Sequence, residues 1–206
     1  MAKKWKNSLI VSVFILISGT AVFAAGIEDI QKKYSAYRDF DATFNQSTYQ
    51  VILNKNVDFT GKILFKRPDG VRMDVYKPQK QIIILKGNKL VVALPDEKTM
   101  AVQEVPKEIA TQNLLAFIAG ISSLDKGYKI RKEKDHFVLT PKNGSGEITI
   151  WTDEESIIKR VKLVDSAGNR SDIRISDYRF NIGLKDNLFE TPDLNAPSDG
   201  RKSSGN

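Results

Sequence analysis

Val57, Phe59, Gly61, Ile63 and Phe65 alternate with Asp58, Thr60, Lys62, Leu64 and Lys66. That period of two belongs to a strand with one apolar face. Val71, Met73 and Val75 repeat the pattern against Arg72, Asp74 and Tyr76. Upstream, Ile27, Ile30, Tyr34 and Tyr37 recur at helical spacing around Glu28, Asp29, Lys32 and Lys33, which predicts a short amphipathic helix before the period changes at Asp41. The apolar runs 81–85 and 90–94 flank Lys86-Gly87-Asn88-Lys89, where Gly-Asn supplies a two-residue hairpin turn. Pro95 and Pro106 punctuate a further strand near Met100.

Residues 107–120 carry Ile109, Leu114, Leu115, Phe117 and Ile118, are rich in Ala and end in Gly120, which predicts a helix with one apolar side. Leu114, Leu115, Phe117 and Ile118 are expected to face Met73, Val75, Ile83 and Leu85 on the sheet. Strands return at 137–139, 148–151, 161–164 and 173–180, with turns rich in Gly, Asn, Asp and Ser at 142–146 and 165–171. The whole predicts one α+β domain with an antiparallel sheet of roughly ten strands and two helices.

The ends read differently. Residues 1–24 place Lys3, Lys4 and Lys6 before an apolar run from Leu9 to Ile17 and small residues near Ala24, the pattern of a secretory signal peptide cleaved after Ala24. Ser12, Ser18, Gly19 and Thr20 leave that run short of the roughly 20 clean apolar residues of a spanning helix. The expected domain is therefore 25–192, outside the inner membrane, followed by a polar, disordered tail at 193–206. The three leader lysines account for part of the formal +7 charge. The rest is dispersed apart from clusters such as Arg131-Lys132-Glu133-Lys134, a solvated surface and not a nucleic-acid footprint.

Candidate chemistry is sparse. There is no cysteine, and His136 is the single histidine, so a His/Cys metal site or a nucleophile–His pair would rest on that one residue; it reads as a turn histidine beside Asp135. Asp153-Glu154-Glu155 reads as a solvated loop, and 165–169 as a hairpin turn, since it lacks the ligand alternation and closing Glu of a calcium loop. No glycine-rich phosphate loop is legible, so an enzyme is poorly supported, although carboxylates from distant strands can still converge in space. What remains is a large apolar sheet face with an apolar helix to cover it. An ordinary core and a lipid cavity both fit that pattern.

A set of short motifs adds to this. Phe44-Asn45-Gln46, then Gly61-Lys-Ile-Leu-Phe65-Lys-Arg67-Pro68, Lys77-Pro78 and Lys86-Gly87-Asn88-Lys89-Leu90, followed by Phe137-Val-Leu-Thr-Pro141, 165–168, Asn181, Leu188-Phe189 and Pro192, resembles in order the periplasmic outer-membrane lipoprotein carrier family (LolA). The resemblance implies an incomplete, open antiparallel β-barrel of about eleven strands with helices as a lid over an apolar cavity. It also implies a monomeric carrier without cofactor or hydrolytic activity. Such a carrier takes acylated lipoproteins from an inner-membrane ABC-type exporter and passes them to an outer-membrane receptor or membrane.

Arg67 matches the arginine that holds the lid closed, although an arginine pinning a turn is the alternative, and Pro68 and Pro78 match framework prolines. The cavity is expected to be lined by Phe44, Ile63, Phe65, Val71, Met73, Val75, Ile83, Leu85, Leu114, Leu115, Phe117, Ile118 and Val161. Two departures stand out: Val71 where an aromatic is common, expected to reshape the cavity mouth, and no evident strand after Pro192. Rival readings on the same fold are a lipoprotein-sensing regulator, which would bring a second domain, and a carrier of another lipid; a lipid-cleaving enzyme is a further rival.

Overall fold

The alternating segments pair into a single antiparallel sheet in a computed structural model that describes residues 26–104 and 114–194. Its strands are β1 (Asp39–Gln50), β2 (Lys55–Lys66), β3 (Gly70–Lys77), β4 (Gln81–Lys86), β5 (Lys89–Leu94), β6 (Thr99–Glu104), β7 (Tyr128–Lys132), β8 (Phe137–Pro141), β9 (Glu147–Thr152), β10 (Ile158–Val164) and β11 (Arg170–Phe180). They lie in the order β6-β5-β4-β3-β2-β1-β11-β10-β9-β8-β7. Two runs of hairpins therefore meet at the long β1–β11 pair, and β6 and β7 remain as separate edges of an open sheet.

Local chemistry explains these elements. Lys86 pairs with Lys89 across Gly87-Asn88, and Gly87 has φ +62°, a conformation glycine adopts freely. The Asp165 carboxylate accepts the N–H groups of Ala167 and Asn169, each at 2.9 Å, and so holds the β10–β11 turn. Gly61 sits at a register shift between β2 and β3, where a Cβ would lie 2.1 Å from the Asp74 carbonyl oxygen and 2.8 Å from the Phe44 ring. Only glycine lets Phe44 pack there.

Among the described residues, three α-helices accompany the sheet: α1 (Ile27–Ser35), α2 (Leu114–Ala119) and, after a 3-10 turn at Ile121–Ser123, α3 (Leu124–Gly127). Ile27, Ile30 and Tyr34 of α1 are buried, as their spacing predicts. Tyr37 lies beyond the helix and stacks on Phe180, with ring centroids 4.0 Å apart. The expected signal peptide, residues 107–113 of the expected second helix and the tail from 195 lie outside the described residues. Gly120 does end α2, but the chain then continues helically through α3 instead of returning to strand.

The strand that periodicity misses is β7. Three of its five residues are cationic (Lys129, Arg131, Lys132), and its pairing with β8, from Tyr128 opposite Pro141 to Lys132 opposite Phe137, reveals it. A second surprise lies on the convex face. Leu64, Ile84, Val91 and Phe189 form a separate buried cluster, with Ile82, Leu184 and Leu188 packed against it. The segment 184–191 straps this face: Lys66 Nζ donates to the Leu184 carbonyl at 2.5 Å, Arg72 Nη1 to the Leu188 carbonyl at 2.9 Å and Lys89 Nζ to Thr191 Oγ1 at 3.0 Å. The sheet is thus apolar on both faces at Leu64 of β2 and over β4 and β5, and the larger core lies on its concave side.

Candidate apolar binding cleft

The concave core is built from inward positions of nearly every strand, and α1 and α2 close it from above. Near the end of the sheet that carries the β1–β2 and β10–β11 turns, packing is incomplete and leaves a cleft of about 250 Å³. That is a little under the roughly 300–1,000 Å³ of pockets that enclose a whole small ligand. Phe44, Phe59, Met73, Val75, Ile83 and Leu163 line the sheet side of the cleft, and Leu114 and Leu115 of α2 line the helix side. Gln46, Gln81, Asp165, Asn169 and Ser171 also line it. Gln46, Asp165, Asn169 and Ser171 are engaged with neighbouring polar groups or with turns. Gln46 Nε2 donates to Thr48 Oγ1 at 2.8 Å, Thr48 and Ser171 share a hydroxyl bond at 2.9 Å, and Asn169 Nδ2 donates to Asp165 at 2.8 Å. Among the described residues, no Lys or Arg lines the cleft. Such a site suits hydrocarbon, not a charged ligand.

Of the positions expected to line a cavity, Phe44, Met73, Val75, Ile83, Leu114 and Leu115 lie on the cleft. Ile63, Phe65, Phe117, Ile118 and Val161 are packed in the adjoining core, each at most 3% exposed. Leu85 is buried on the same face, across from Val71. Val71 itself is fully buried between Phe65 and Leu85 and does not line the cleft. Phe59 and Leu163, not singled out from the sequence, are cleft residues whose alternation with polar neighbours was the available signal.

Arg67 follows β2 and is half-buried. Its Nε donates to the Tyr37 carbonyl at 2.8 Å and its Nη2 to the Tyr34 carbonyl at 3.1 Å. The guanidinium therefore fastens the C-terminal end of α1, where carbonyls lack helical partners and a cation is favoured. Below it, the Ile158 N–H donates to Tyr34 Oη at 3.1 Å, the Tyr34 hydroxyl to Tyr178 Oη at 3.3 Å, and the Tyr178 hydroxyl to the Ile158 carbonyl at 2.9 Å. Burial pushes the Tyr34 hydroxyl up to about 12 and Tyr178 well above its ordinary value. Gln31 Nε2 ties α1 to α3 through Asp125 Oδ1 at 2.6 Å.

α2 differs. Its sequence, Leu-Leu-Ala-Phe-Ile-Ala, offers the sheet only hydrocarbon.

His136 packs half-exposed beside Trp151 and pairs with Asp135 at 2.8 Å, which holds the Asp135 carboxyl below the usual range. Asp153 accepts the N–H groups of Glu155 and Ile157 within its own turn. Among the described residues, no group of three His, Asp or Glu is placed to hold a metal ion.

The comparisons agree with this geometry. Residues 35–192 match the family described as "Outer membrane lipoprotein carrier protein LolA". An outer-membrane lipoprotein carrier protein of Klebsiella pneumoniae is 26% identical over 171 residues, covering 80% of this chain and 84% of the relative. One from Actinobacillus succinogenes is 24% identical over 190 residues and covers 91% of each chain. Among solved structures, a LolA superfamily protein from Nitrosomonas europaea shares the fold, with a TM-score of 0.52 at 14% identity over 80% of this chain and 96% of that one. An open eleven-stranded sheet with an apolar concave face, together with a family match from the end of α1 to Pro192, leads to one conclusion: the chain belongs to the LolA family of outer membrane lipoprotein carrier proteins.

Proposed function

We propose that this protein carries acylated lipoproteins across the periplasm, receiving them from an inner-membrane ABC-type exporter and delivering them to the outer membrane, without cleaving them. The observation that carries this reading is a cleft lined mostly by hydrocarbon side chains and roofed by a helix whose own side chains are all hydrocarbon. An acyl chain can replace Leu114 and Leu115 against Met73, Val75 and Ile83 and strand no polar group. Three acyl chains with about 40 methylenes would cost on the order of 30 kcal/mol exposed to water, at about 0.8 kcal/mol each, so unassisted crossing is excluded.

The cleft as it stands is too small for such a load, so loading moves α2 outward. Release then depends on how stable the empty, covered state is. Arg67 contributes to that state through its bonds to the carbonyls of Tyr34 in α1 and of Tyr37 just after it, and acts as a latch that favours letting cargo go. The direct experiment is mass spectrometry of ligands that co-purify from the periplasm. An intact triacylated peptide is expected. A free fatty acid, a deacylated peptide or a different lipid as the sole ligand would overturn the reading.

A further inference from the structure

The β1–β2 hairpin ends in four turn residues, and three of them are apolar and turned to solvent: Val51 is 44%, Ile52 91% and Leu53 54% exposed. Such a cluster runs against the economy of a soluble surface. The hairpin also overhangs the sheet. β2 pairs with β3 only from Thr60 onward, so residues 55–59 have a neighbour on one side alone, a stretch of about 17 Å at the usual rise per residue. On its other side the pairing of β1 with β11 stops at Tyr49 and Arg170. The tip is nonetheless anchored: the Val51 N–H donates to Asn169 Oδ1 at 3.0 Å, and Tyr49 Oη donates to Asn54 Oδ1 at 2.5 Å. Asn169 lines the cleft, so the apolar tip stands beside it.

We infer that this tip is a membrane-touching element, which inserts Val51, Ile52 and Leu53 into the interface of a phospholipid bilayer and brings the cleft to that surface. The flanks fit an interface. Lys55 is exposed, and Arg170 is exposed and lies over the Tyr49 ring at 5.6 Å. Long cationic and tyrosyl side chains at the base of an apolar point are suited to anionic headgroups. The nearby carboxylates are engaged, Asp58 with Ser47 at 2.6 Å and Asp165 within its turn. Shape favours a bilayer over a protein. One protruding turn supplies only a fraction of the roughly 800 Å² per partner of a stable protein interface, whereas a bilayer demands no complementary surface. The inference deepens the carrier reading and rests on it for its purpose, but its test does not use cargo.

The chain has no cysteine, so a single one can be placed and labelled. Protein purified from the periplasm, carrying Leu53→Cys with an environment-sensitive nitrobenzoxadiazole dye, is mixed with vesicles of phosphatidylethanolamine and phosphatidylglycerol. A blue shift is expected at position 53 and none for the same dye on Val102→Cys, an exposed site on edge strand β6. Adding Ile52→Asp should weaken vesicle binding about tenfold or more, since an aspartate enters hydrocarbon far less readily than isoleucine. Its unfolding midpoint should not change, because Ile52 is 91% exposed. No shift at 53, a shift that survives Ile52→Asp, or a concentration-dependent shift without vesicles, which would mark a contact between copies, would overturn the proposal. Binding of a fluorescent fatty acid by Ile52→Asp is measured in parallel. Its absence from the unsubstituted protein too would count against the carrier reading, not against the tip.

Discussion

α1 and α2 cover the same apolar face by opposite means. α1 is fastened by polar bonds, with Arg67 on the carbonyls of Tyr34 at its end and Tyr37 just beyond it, Tyr34 in a closed circuit with Tyr178 and Ile158, and Gln31 on Asp125. α2 contributes Leu114, Phe117 and Ile118, all buried, and only hydrocarbon side chains. A polar fastening is geometrically exacting and costs about 1–3 kcal/mol when one partner is left unpaired in the interior. Apolar contact is undirected, and any hydrocarbon of similar volume can replace it. The difference assigns the two covers different parts in a carrier. In the proposed carrier, α2 is the part that would exchange with lipid, and α1 the part that would set how stable the empty state is.

The comparison is broken most severely at Phe117, which is 1% exposed among Tyr34, Phe40, Ile63 and Ile158. Phe117→Ala should remove about 3–5 kcal/mol of α2 docking. If α2 is the exchangeable cover, hydrogen exchange at 114–119 accelerates, fatty-acid affinity rises by about two to three orders of magnitude as about 1.4 kcal/mol per decade translates, and β1, β2 and β11 keep their protection. Equal loss of protection in those central strands would show that the two covers and the sheet melt as one unit.

Arg67→Leu tests the other cover. It should withdraw about 1.5–3 kcal/mol from the empty, covered state. Cargo still loads, but transfer to acceptor membranes slows by about one to two orders of magnitude and lipoprotein accumulates on the variant. A lower unfolding midpoint with unchanged transfer would instead make Arg67 a structural arginine that pins α1.

A smaller effect is expected at Tyr34. Tyr34→Phe leaves the buried Ile158 N–H without its acceptor, at about 1–3 kcal/mol. The hydroxyl also predicts alkaline behaviour. Its value rises from 10.0 to about 12 in the folded protein, so its stabilising contribution is complete below pH 10 and is lost as pH climbs towards 12. The slope is about 1.4 kcal/mol per pH unit for each such tyrosine. Denaturation curves at pH 9, 10 and 11 should steepen in decline beyond 10, and less so in Tyr34→Phe. An identical decline in both would remove Tyr34 from the account.

These tests address residues that the sequence exposed to different degrees. Val71, Met73 and Val75, and the Gly87-Asn88 turn, were legible because one face of β3 is wet and glycine marks the turn. The convex cluster was not, because Ile82-Ile83-Ile84-Leu85 has no period at all: a strand apolar on both faces hides which face is which. β7 was hidden by the opposite cause, cations on an edge strand where solvent replaces a second neighbour. The motif around Arg67 marked a residue worth following, but no period shows that its partners are the carbonyls of Tyr34 and Tyr37, since backbone acceptors carry no sequence signature.

Gln31 sharpens the comparison with the least effect on stability. Its Nε2 reaches Asp125 Oδ1 at 2.6 Å and lies 3.5 Å from the Ser122 carbonyl oxygen, so it joins the fastened cover to the residues that follow the apolar one. The bond to Asp125 is exposed to water, and Gln31→Ala should cost only about 0.5 kcal/mol. Its mechanical consequence is larger than that figure. If Arg67 favours release by holding α1, and α1 acts on α2 through Gln31, then Gln31→Ala should slow transfer in the same direction as Arg67→Leu but by less. In the Arg67→Leu background it should add almost nothing, because the fastening it transmits is already gone. A double-mutant cycle on transfer rate measures this directly. Additive slowing would mean that α1 and α2 open independently, and the connection between the two covers would then have to run through the shared core of Tyr34 and Phe117 instead of through Gln31.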